Sequence, residues 1–371
     1  MSKLLRYLLA SIGLLAIGTL TAQAANTVLI GVQVPITGPQ ATYGKDMLNA
    51  VKLAANYVDN HGGINGEKIK LTVGDSACDP QEAVNAASKL ASKGVDAVVG
   101  GYCSGATLPT LKVYGDSDIP FVITASNSTK LIPANPGNAF MINSTGFAQV
   151  KKAVDFFQSQ KVKSLAIVNR GDAYSQNLAS LTRKQWEKLG KKVPVYATVN
   201  RGQQDFSSLV TKITNAHPDA VFWTAYYSQG ALLIRQLREN GYTGLIALGD
   251  GSNSPKLFKI AGRAAEGVYC FSNPIVKFLP KAKHFIAEYK KQFNEDPGPY
   301  SALTYDGMRL IAWAMNKAHS TDHKKVVQAL ASANGPSWLT GPISFTKKNT
   351  LARSNFVVLK GKGGEWTLYK R

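Results

Sequence analysis

Short apolar blocks alternate with longer amphipathic stretches along most of the chain, with a spacing of about 25 residues between blocks. In the first half the blocks Val28 to Val34, Ile69 to Val73, Ala97 to Gly100 and Pro120 to Thr124 predict strands. Helical patterning falls between them, from Tyr43 to Val58, Pro80 to Ser92 and Ser104 to Tyr114, the first stopped by Gly62-Gly63. A second series of strand-like blocks runs through Ser164 to Asn169, Val193 to Thr198, Ala220 to Thr224, Gly244 to Leu248 and Gly267 to Phe271. Helical patterns follow at Lys281 to Phe293, Tyr300 to Lys317 and His323 to Ser332, and two short strands, Asn355 to Leu359 and Trp366 to Tyr369, close the chain.

Strands regularly separated by helices specify parallel sheets covered on their faces, so the fold class is α/β, and the repetition of the series makes it doubled. No low-complexity tract or long Pro/Gly/Ser linker divides the halves. Several short crossings between lobes, rather than one tether, are therefore expected, and such crossings form a hinge.

The first residues carry the three parts of an export signal: basic Lys3 and Arg6, an apolar run from Tyr7 to Leu20, and Ala22-Gln23-Ala24 before Ala25. The run holds about 14 residues where a spanning helix needs roughly 20, so cleavage near Ala24 and release to the periplasm are expected. No cysteine stands at the cleavage point to take a lipid anchor. About 347 of the 371 residues then remain, enough for two hydrophobic cores. Loss of Lys3 and Arg6 from the 43 basic residues, set against 23 acidic ones, leaves a net charge of +18. The excess is scattered over helix faces, as at Lys281, Lys283 and Lys290-Lys291, without a nucleic-acid motif, and reads as a basic surface rather than a nucleic-acid site.

Export permits a disulfide. Cys78 and Cys103 both follow predicted strands of one lobe, and joining them would close a loop worth roughly 3 to 4 kcal/mol. Cys270 ends an apolar block and reads as a buried, inert thiol.

Ligands of open parallel sheets bind beyond the carboxyl ends of the strands. That rule nominates Thr37-Gly38-Pro39 through Tyr43-Gly44, Tyr102-Cys103-Ser104-Gly105, Ala125-Ser126-Asn127-Ser128-Thr129, Gly171-Asp172-Ala173-Tyr174, Ala225-Tyr226-Tyr227 and Gly249-Asp250-Gly251. Together they offer hydroxyls, backbone N–H groups, tyrosines and two carboxylates, a set suited to a small zwitterion. Ser104 and Ser128 can donate to an α-carboxylate, Ser104 with the help of a helix N-terminus. Asp250, the Ser126 carbonyl and the Ser128 hydroxyl can accept from an α-ammonium. Taken singly, each serine reads as a helix cap, each tyrosine as ordinary packing, and Asp172 as a solvated turn residue.

At these loops the chain resembles the branched-chain amino acid binding proteins of bacterial ABC transporters, of the leucine/isoleucine/valine-binding type. The matching segments include Thr37-Gly38-Pro39 with Tyr43-Gly44, Gly62-Gly63-Ile64-Asn65-Gly66, Ala77-Cys78-Asp79-Pro80, Cys103-Ser104, Asp205-Phe206-Ser207, Ile234-Arg235-Gln236, Ile260-Ala261-Gly262 and Gly341-Pro342, in this order across the mature chain. The resemblance implies a two-lobed type I periplasmic binding fold with three hinge crossings. It implies lobes formed by residues 25–143 plus 274–353 and by 144–273 plus 354–371. It also implies a Cys78–Cys103 disulfide, carboxylate binding by Ser104 and Ser128, an ammonium-facing carbonyl at Ser126, and contacts from Tyr43, Tyr174, Tyr226 and Tyr300. The family's ammonium-binding acid falls on Asp250, where many members carry glutamate; the shorter aspartate must be reached through a backbone shift or a water. The implied partners are a small amino acid and an inner-membrane permease, with a monomeric chain and no cofactor. A different small solute (an amide, urea, an aromatic or aliphatic acid) or a membrane sensor as the partner are the alternatives the same loops allow.

Two enzymic or metal readings stand beside this one. Gly101-Tyr102-Cys103-Ser104-Gly105 has the G-x-C-x-G form of a nucleophile elbow but needs a free thiolate and a histidine base, and none of the histidines follows a strand that would aim it there. His319 and His323 have metal-pair spacing but no third ligand nearby, and read as exposed histidines.

Overall fold

The computed structural model describes residues 27–369. The expected export signal lies outside the described residues. The first sheet is parallel and contains β1 (Thr27–Val34), β2 (Lys68–Asp75), β3 (Ala97–Gly100), β4 (Phe121–Ile123) and β5 (Ala139–Met141), in the order β2-β1-β3-β4-β5. Around it run α1 (Ala41–Asn60), α2 (Pro80–Ser92), α3 (Ser104–Asp116) and the short α4 (Leu131–Ala134). The central strands β3 and β4 are buried at every residue, as runs of Ala, Val, Phe and Ile covered on both faces must be.

The second sheet takes β6 (Ser164–Asn169), β7 (Lys192–Thr198), β8 (Ala220–Trp223), β9 (Leu245–Gly249) and β10 (Tyr269–Ser272). Its helices are α5 (Gly146–Ser159), α6 (Ala173–Lys188), α7 (Ser207–Ala216), α8 (Tyr227–Glu239) and α9 (Lys256–Ala261). The chain then forms α10 (Lys283–Phe293), α11 (Ser301–Ala318) and α12 (His323–Ala331), a hairpin of β11 (Asn334–Trp338) with β12 (Gly341–Ser344), and finally β13 (Val357–Lys362) and β14 (Glu365–Leu368). The last two strands return to the second sheet, where β13 pairs antiparallel with β10, giving the order β14-β13-β10-β9-β8-β6-β7.

The two sheets are thus joined three times: after β5, after β10, and before β13. Between the second and third crossings α11 packs on α1, β3 and β4 and so completes the first lobe. The outer two crossings are laced together, with the Ser144 hydroxyl donating to Asn355 Oδ1 at 2.7 Å and accepting from the Asn355 N–H at 2.9 Å. Local chemistry sets several helix starts. Asp79 accepts from the N–H groups of Gln81 and Glu82 with Pro80 in the first helical position of α2, and Asp322 accepts from Lys325 at the start of α12.

The predicted strands and terminal helices are present within one to three residues at most ends. The helices of the second lobe, β5, and the β11–β12 hairpin add to the predicted set. Ala139–Met141 is only three residues long, too short for an apolar run to stand out from a loop. His323 departs from the expected exposed histidine: it is half-buried, and its two ring nitrogens lie 3.1 and 3.2 Å from the Ser117 and Val95 carbonyls, tying α12 to the turns that lead into β4 and β3.

Candidate functional site

The facing loops at the carboxyl ends of the two sheets meet over a cleft that is closed in this structure. Ser128 Oγ donates to the Ala173 carbonyl at 3.1 Å, Tyr43 Oη lies 3.2 Å from Asn253 Oδ1 and 3.3 Å from the Gly251 carbonyl, and the Thr129 N–H donates to Asn177 Oδ1 at 2.9 Å. Each of these bonds crosses from one lobe to the other.

Asp250 occupies the centre. It opens a single 3-10 turn directly after β9, with a side chain that is 2% exposed. Its Oδ1 accepts from Tyr174 Oη at 2.7 Å and Gln149 Nε2 at 3.0 Å; its Oδ2 accepts from Asn127 Nδ2 and Tyr300 Oη at 3.1 Å and Asn143 Nδ2 at 3.4 Å. All five donors are neutral. Tyr174 also accepts from the Gly251 N–H at 3.1 Å. A Cβ on Gly249 would stand 2.5 Å from the Tyr174 hydroxyl, so the residue before Asp250 must be glycine for that tyrosine to reach the carboxylate. Burial pushes the Asp250 carboxyl above its usual value, while hydrogen bonds from Tyr174, Gln149, Tyr300 and Asn143 pull it back in part. Burial and the Asp250 charge together raise Tyr174 and Tyr300, which keeps both hydroxyls protonated as donors.

Opposite lies the start of α3. Ser104 is its first residue, 1% exposed, and its hydroxyl accepts from the Ser128 N–H at 3.2 Å. The first-turn N–H groups of a helix have no intrahelical acceptor, which makes this end a natural seat for an anion. Cys103, the residue before it, is bonded to Cys78 with the Cα atoms 5.4 Å apart. The elbow reading of Gly101 to Gly105 therefore has no thiol to act through. The disulfide ties the loop after β2 to the turn that presents Ser104.

A wall of tyrosines closes the sides. Tyr43 and Tyr102 stack with centroids 4.7 Å apart, Tyr300 meets Tyr102 edge-on at 5.3 Å, and Tyr226 lies 5.5 Å from Tyr174. The Arg170 guanidinium sits 4.3 Å from the Tyr226 centroid and 2.9 Å from Asp172. Asp172 is not the solvated turn residue expected: it is buried and caps α6 by accepting from the Tyr174 and Ser175 N–H groups. It thus holds Tyr174 from behind. The cavity left between these groups is about 10 Å³ measured to the centre of a water-sized sphere, space for roughly one water.

Of the eight residues nominated from sequence, Ser104, Tyr174, Tyr226, Asp250 and Tyr300 line this cavity. Tyr43 stands behind Tyr102. Ser126 and Ser128 are buried beside it, with the Ser126 hydroxyl 2.8 Å from Thr107 Oγ1 and the Ser128 hydroxyl engaged with Ala173. Tyr102, Asn127, Asn143 and Gln149 are contributors beyond the nominated set. Asn127 and Tyr102 lay inside nominated loops; Asn143 and Gln149 lie in the first crossing and on α5, away from any strand end.

The segment that delivers Tyr300 is anchored by a second buried acid. Asp46 of α1 accepts from the Gly298 N–H at 2.7 Å and from Tyr289 Oη at 3.1 Å, and burial lifts its pKa to about 7. An acid whose folded pKa stands above its unfolded value of 3.8 binds its proton more tightly when folded. Its favourable contribution is present below pH 3.8 and is lost as pH rises towards 7. Calorimetric melting of the protein is therefore expected to show a loss of about 2 kcal/mol between pH 5 and pH 6.5 from this group. Asp306, raised to about 6 by burial, adds a loss of the same sign. The dependence should flatten in Asp46→Asn; an unchanged profile would remove Asp46 as a source.

Two lobes joined by three crossings and closed over a buried carboxylate facing a helix start define a hinged solute-binding protein. The chain belongs to the periplasmic binding protein family, whose model matches residues 27–365. It is 30% identical over 364 residues to Leu/Ile/Val-binding protein homolog 1 of Brucella melitensis, covering 96% of each chain. It is 29% identical over 341 residues to the leucine-, isoleucine-, valine-, threonine- and alanine-binding protein of Pseudomonas aeruginosa, covering 91% of this chain and 90% of that one. Among solved structures, a leucine-binding protein of Thermotoga maritima superimposes with a TM-score of 0.86 at 26% identity, over 92% of this chain and 98% of the other.

Proposed function

We propose that this chain is the periplasmic solute-binding component of an ABC importer, capturing an amino acid of the branched-chain or a similar small class between its lobes. The observation that carries the reading is Asp250: a buried carboxylate held by five neutral donors from both sides of the cleft, opposite the N-terminal turn of α3. Such a pair of poles matches the ammonium and carboxylate of a zwitterion, because a buried charge is tolerated only when paired and hydrogen-bonded. The names of the curated relatives point to the same ligand class.

In this mechanism the export signal is removed near Ala24 and the lobes are residues 25–143 plus 274–353 and 144–273 plus 354–371. Solute enters the open form, and contacts to both lobes favour closure about the three crossings. An inner-membrane permease then reads the closed monomer. Because the closed cavity is so small, the tyrosine wall must yield to admit even a small amino acid. No covalent step is involved.

A thermal-shift screen of the mature chain from Ala25 tests this, since a ligand of the folded closed form raises the melting temperature by mass action. Leucine, isoleucine, valine, threonine or alanine at millimolar concentration is expected to raise it. A shift only with amides, urea, or aromatic or aliphatic acids would keep the closure mechanism and reassign the solute; no shift with any of them would overturn the reading.

A further inference from the structure

Folding gathers part of the basic excess at one pole of the second lobe. Two turns lie side by side at the amino ends of β6 and β7: residues 160–163, which join α5 to β6, and residues 189–191, which join α6 to β7. The Lys192 N–H donates to the Lys163 carbonyl at 3.2 Å, and Ser164 pairs with Lys192 across the two strands. Lys184, Lys188 and Leu189 line, with Gln158 of α5, one end of the groove between α5 and α6. Lys161, Lys163, Lys184, Lys188, Lys191 and Lys192 thus share this pole, all exposed except the half-buried Lys191. Leu189 stands among them, 40% exposed, at the turn that Gly190 makes with a φ of 71°.

The acids close by are already spent. Glu187 is paired with Arg183 at 2.8 Å, Asp155 further along the groove is paired with Lys151 at 2.7 Å, and Asp219 accepts from the N–H groups of Lys163 and Ser164 at 2.7 and 2.9 Å. Lys161, Lys184, Lys188, Lys191 and Lys192 make no ion pair among the described residues. Scattered lysines would only keep the chain in solution; these surround an exposed leucine on two adjacent turns.

We infer that this pole seats the protein on a bilayer rich in anionic headgroups, with the lysines facing the lipid phosphates and Leu189 entering the headgroup layer. The chemistry of the cluster favours lipid over an acidic protein segment. It is built of lysine, a point charge on a flexible stem, and lacks the fixed fork with which arginine grips a carboxylate; Arg183 on the same helix is held by Glu187. Its shape agrees, since side chains on neighbouring turns can meet a broad flat surface together. Each lysine brought to an anionic surface strengthens binding about fivefold. The solute cleft lies at the other end of the sheet, beyond the six residues of β6, about 20 Å away. Seating therefore leaves the cleft free, and it confines the chain to the surface where, on the reading above, its permease lies. The inference goes beyond solute capture and does not depend on which solute is bound.

Co-sedimentation of the mature chain from Ala25 with phosphatidylcholine vesicles containing about one third phosphatidylglycerol is expected to show binding at about 0.05 M salt, with none on pure phosphatidylcholine. Raising the salt to about 1 M, where the screening length falls to about 3 Å, should release the protein. Lys188→Gln with Lys192→Gln should weaken the partition about thirtyfold, and Leu189→Ser about fivefold without a change of charge. Lys347→Gln with Lys348→Gln, which removes the same charge from an exposed turn of the first lobe, should stay within about threefold. No binding to the mixed vesicles, an equal loss in the two lysine pairs, or an unchanged partition of Leu189→Ser each overturns the inference. A polyglutamate peptide that binds through Lys188 and Lys192 where the vesicles do not would assign the pole to an acidic protein segment and overturns it too. Leucine titration of the same variants should match the unmodified chain within about threefold. Failure of the unmodified chain to bind any amino acid bears on the earlier reading alone.

Discussion

Replacing Asp250 with alanine is expected to weaken amino-acid binding by about 2 to 5 kcal/mol, from roughly thirty-fold to several thousand-fold in dissociation constant. The size of the effect follows from where the charge sits. At 2% exposure the carboxylate has no bulk water to replace it, so the ligand's ammonium would be left buried beside tyrosine and asparagine donors that repel it. Two effects would be mixed in the alanine variant, because the donors to Asp250 also lose their acceptor. Asp250→Asn separates them: it keeps volume and removes charge, and should retain more stability than alanine while losing most of the affinity. Calorimetric titration with leucine, valine and threonine, on protein whose melting is measured in parallel, reads both. Affinity within about threefold of the unmodified chain in both variants would place the ammonium elsewhere.

Removing the Cys78–Cys103 bond by a double serine substitution is expected to cost roughly 3 to 4 kcal/mol of folding stability, the closed loop spanning a sequence separation of 25. The affinity should change little. The turn carrying Ser104 is held by more than the disulfide: Ala106 and Thr107 N–H groups donate to the Cys103 carbonyl, Gly101 N–H donates to the Gln33 carbonyl, and Ser104 Oγ takes the Ser128 N–H. Denaturant melts of the oxidised and substituted chains measure the stability, and titration measures the affinity. Complete loss of binding at unchanged stability would show that the bond shapes the site and does not merely brace the lobe.

Much of this site could be read from the chain before folding because of one geometric rule: side chains that follow parallel strands converge at one end of a sheet. Ser104 and Asp250 stand at the start of helical turns directly after β3 and β9, and Tyr174 and Tyr226 lie just past β6 and β8. The rule is silent on Gln149. That residue is on α5, five positions beyond Ser144 in the first crossing, and it reaches Asp250 only because the crossing lays α5 against β10, the strand paired with β9. Asn143 is hidden for the same reason. Their amide side chains also carry no charge, so nothing in composition distinguishes them from surface amides. Asp172 illustrates the converse. Its sequence context is that of a polar turn, and only the packing of Arg170 and Tyr226 over it turns it into a buried cap. The central strands β3 and β4 of the first lobe were legible because they are uniformly apolar, whereas β2, on the edge of the same sheet and mostly exposed or half-buried, is recognisable mainly from its place in the series.

The interleaving of the two lobes also orders their assembly. The face of the first sheet carried by β3 and β4 is covered by α11, residues 301–318, which is synthesised roughly ten seconds or more after β5 at common elongation rates. The second sheet, begun at Ser164, leaves β10 as an open edge until Val357 arrives. Neither lobe is a contiguous module that can finish early: the first sheet waits for α11, and the second keeps an open edge until β13. Cut before α11, the chain leaves the β3–β4 face of the first sheet uncovered; cut just before β13, it includes every segment of the first lobe and leaves the second sheet with β10 as an unpaired edge exposed to other chains.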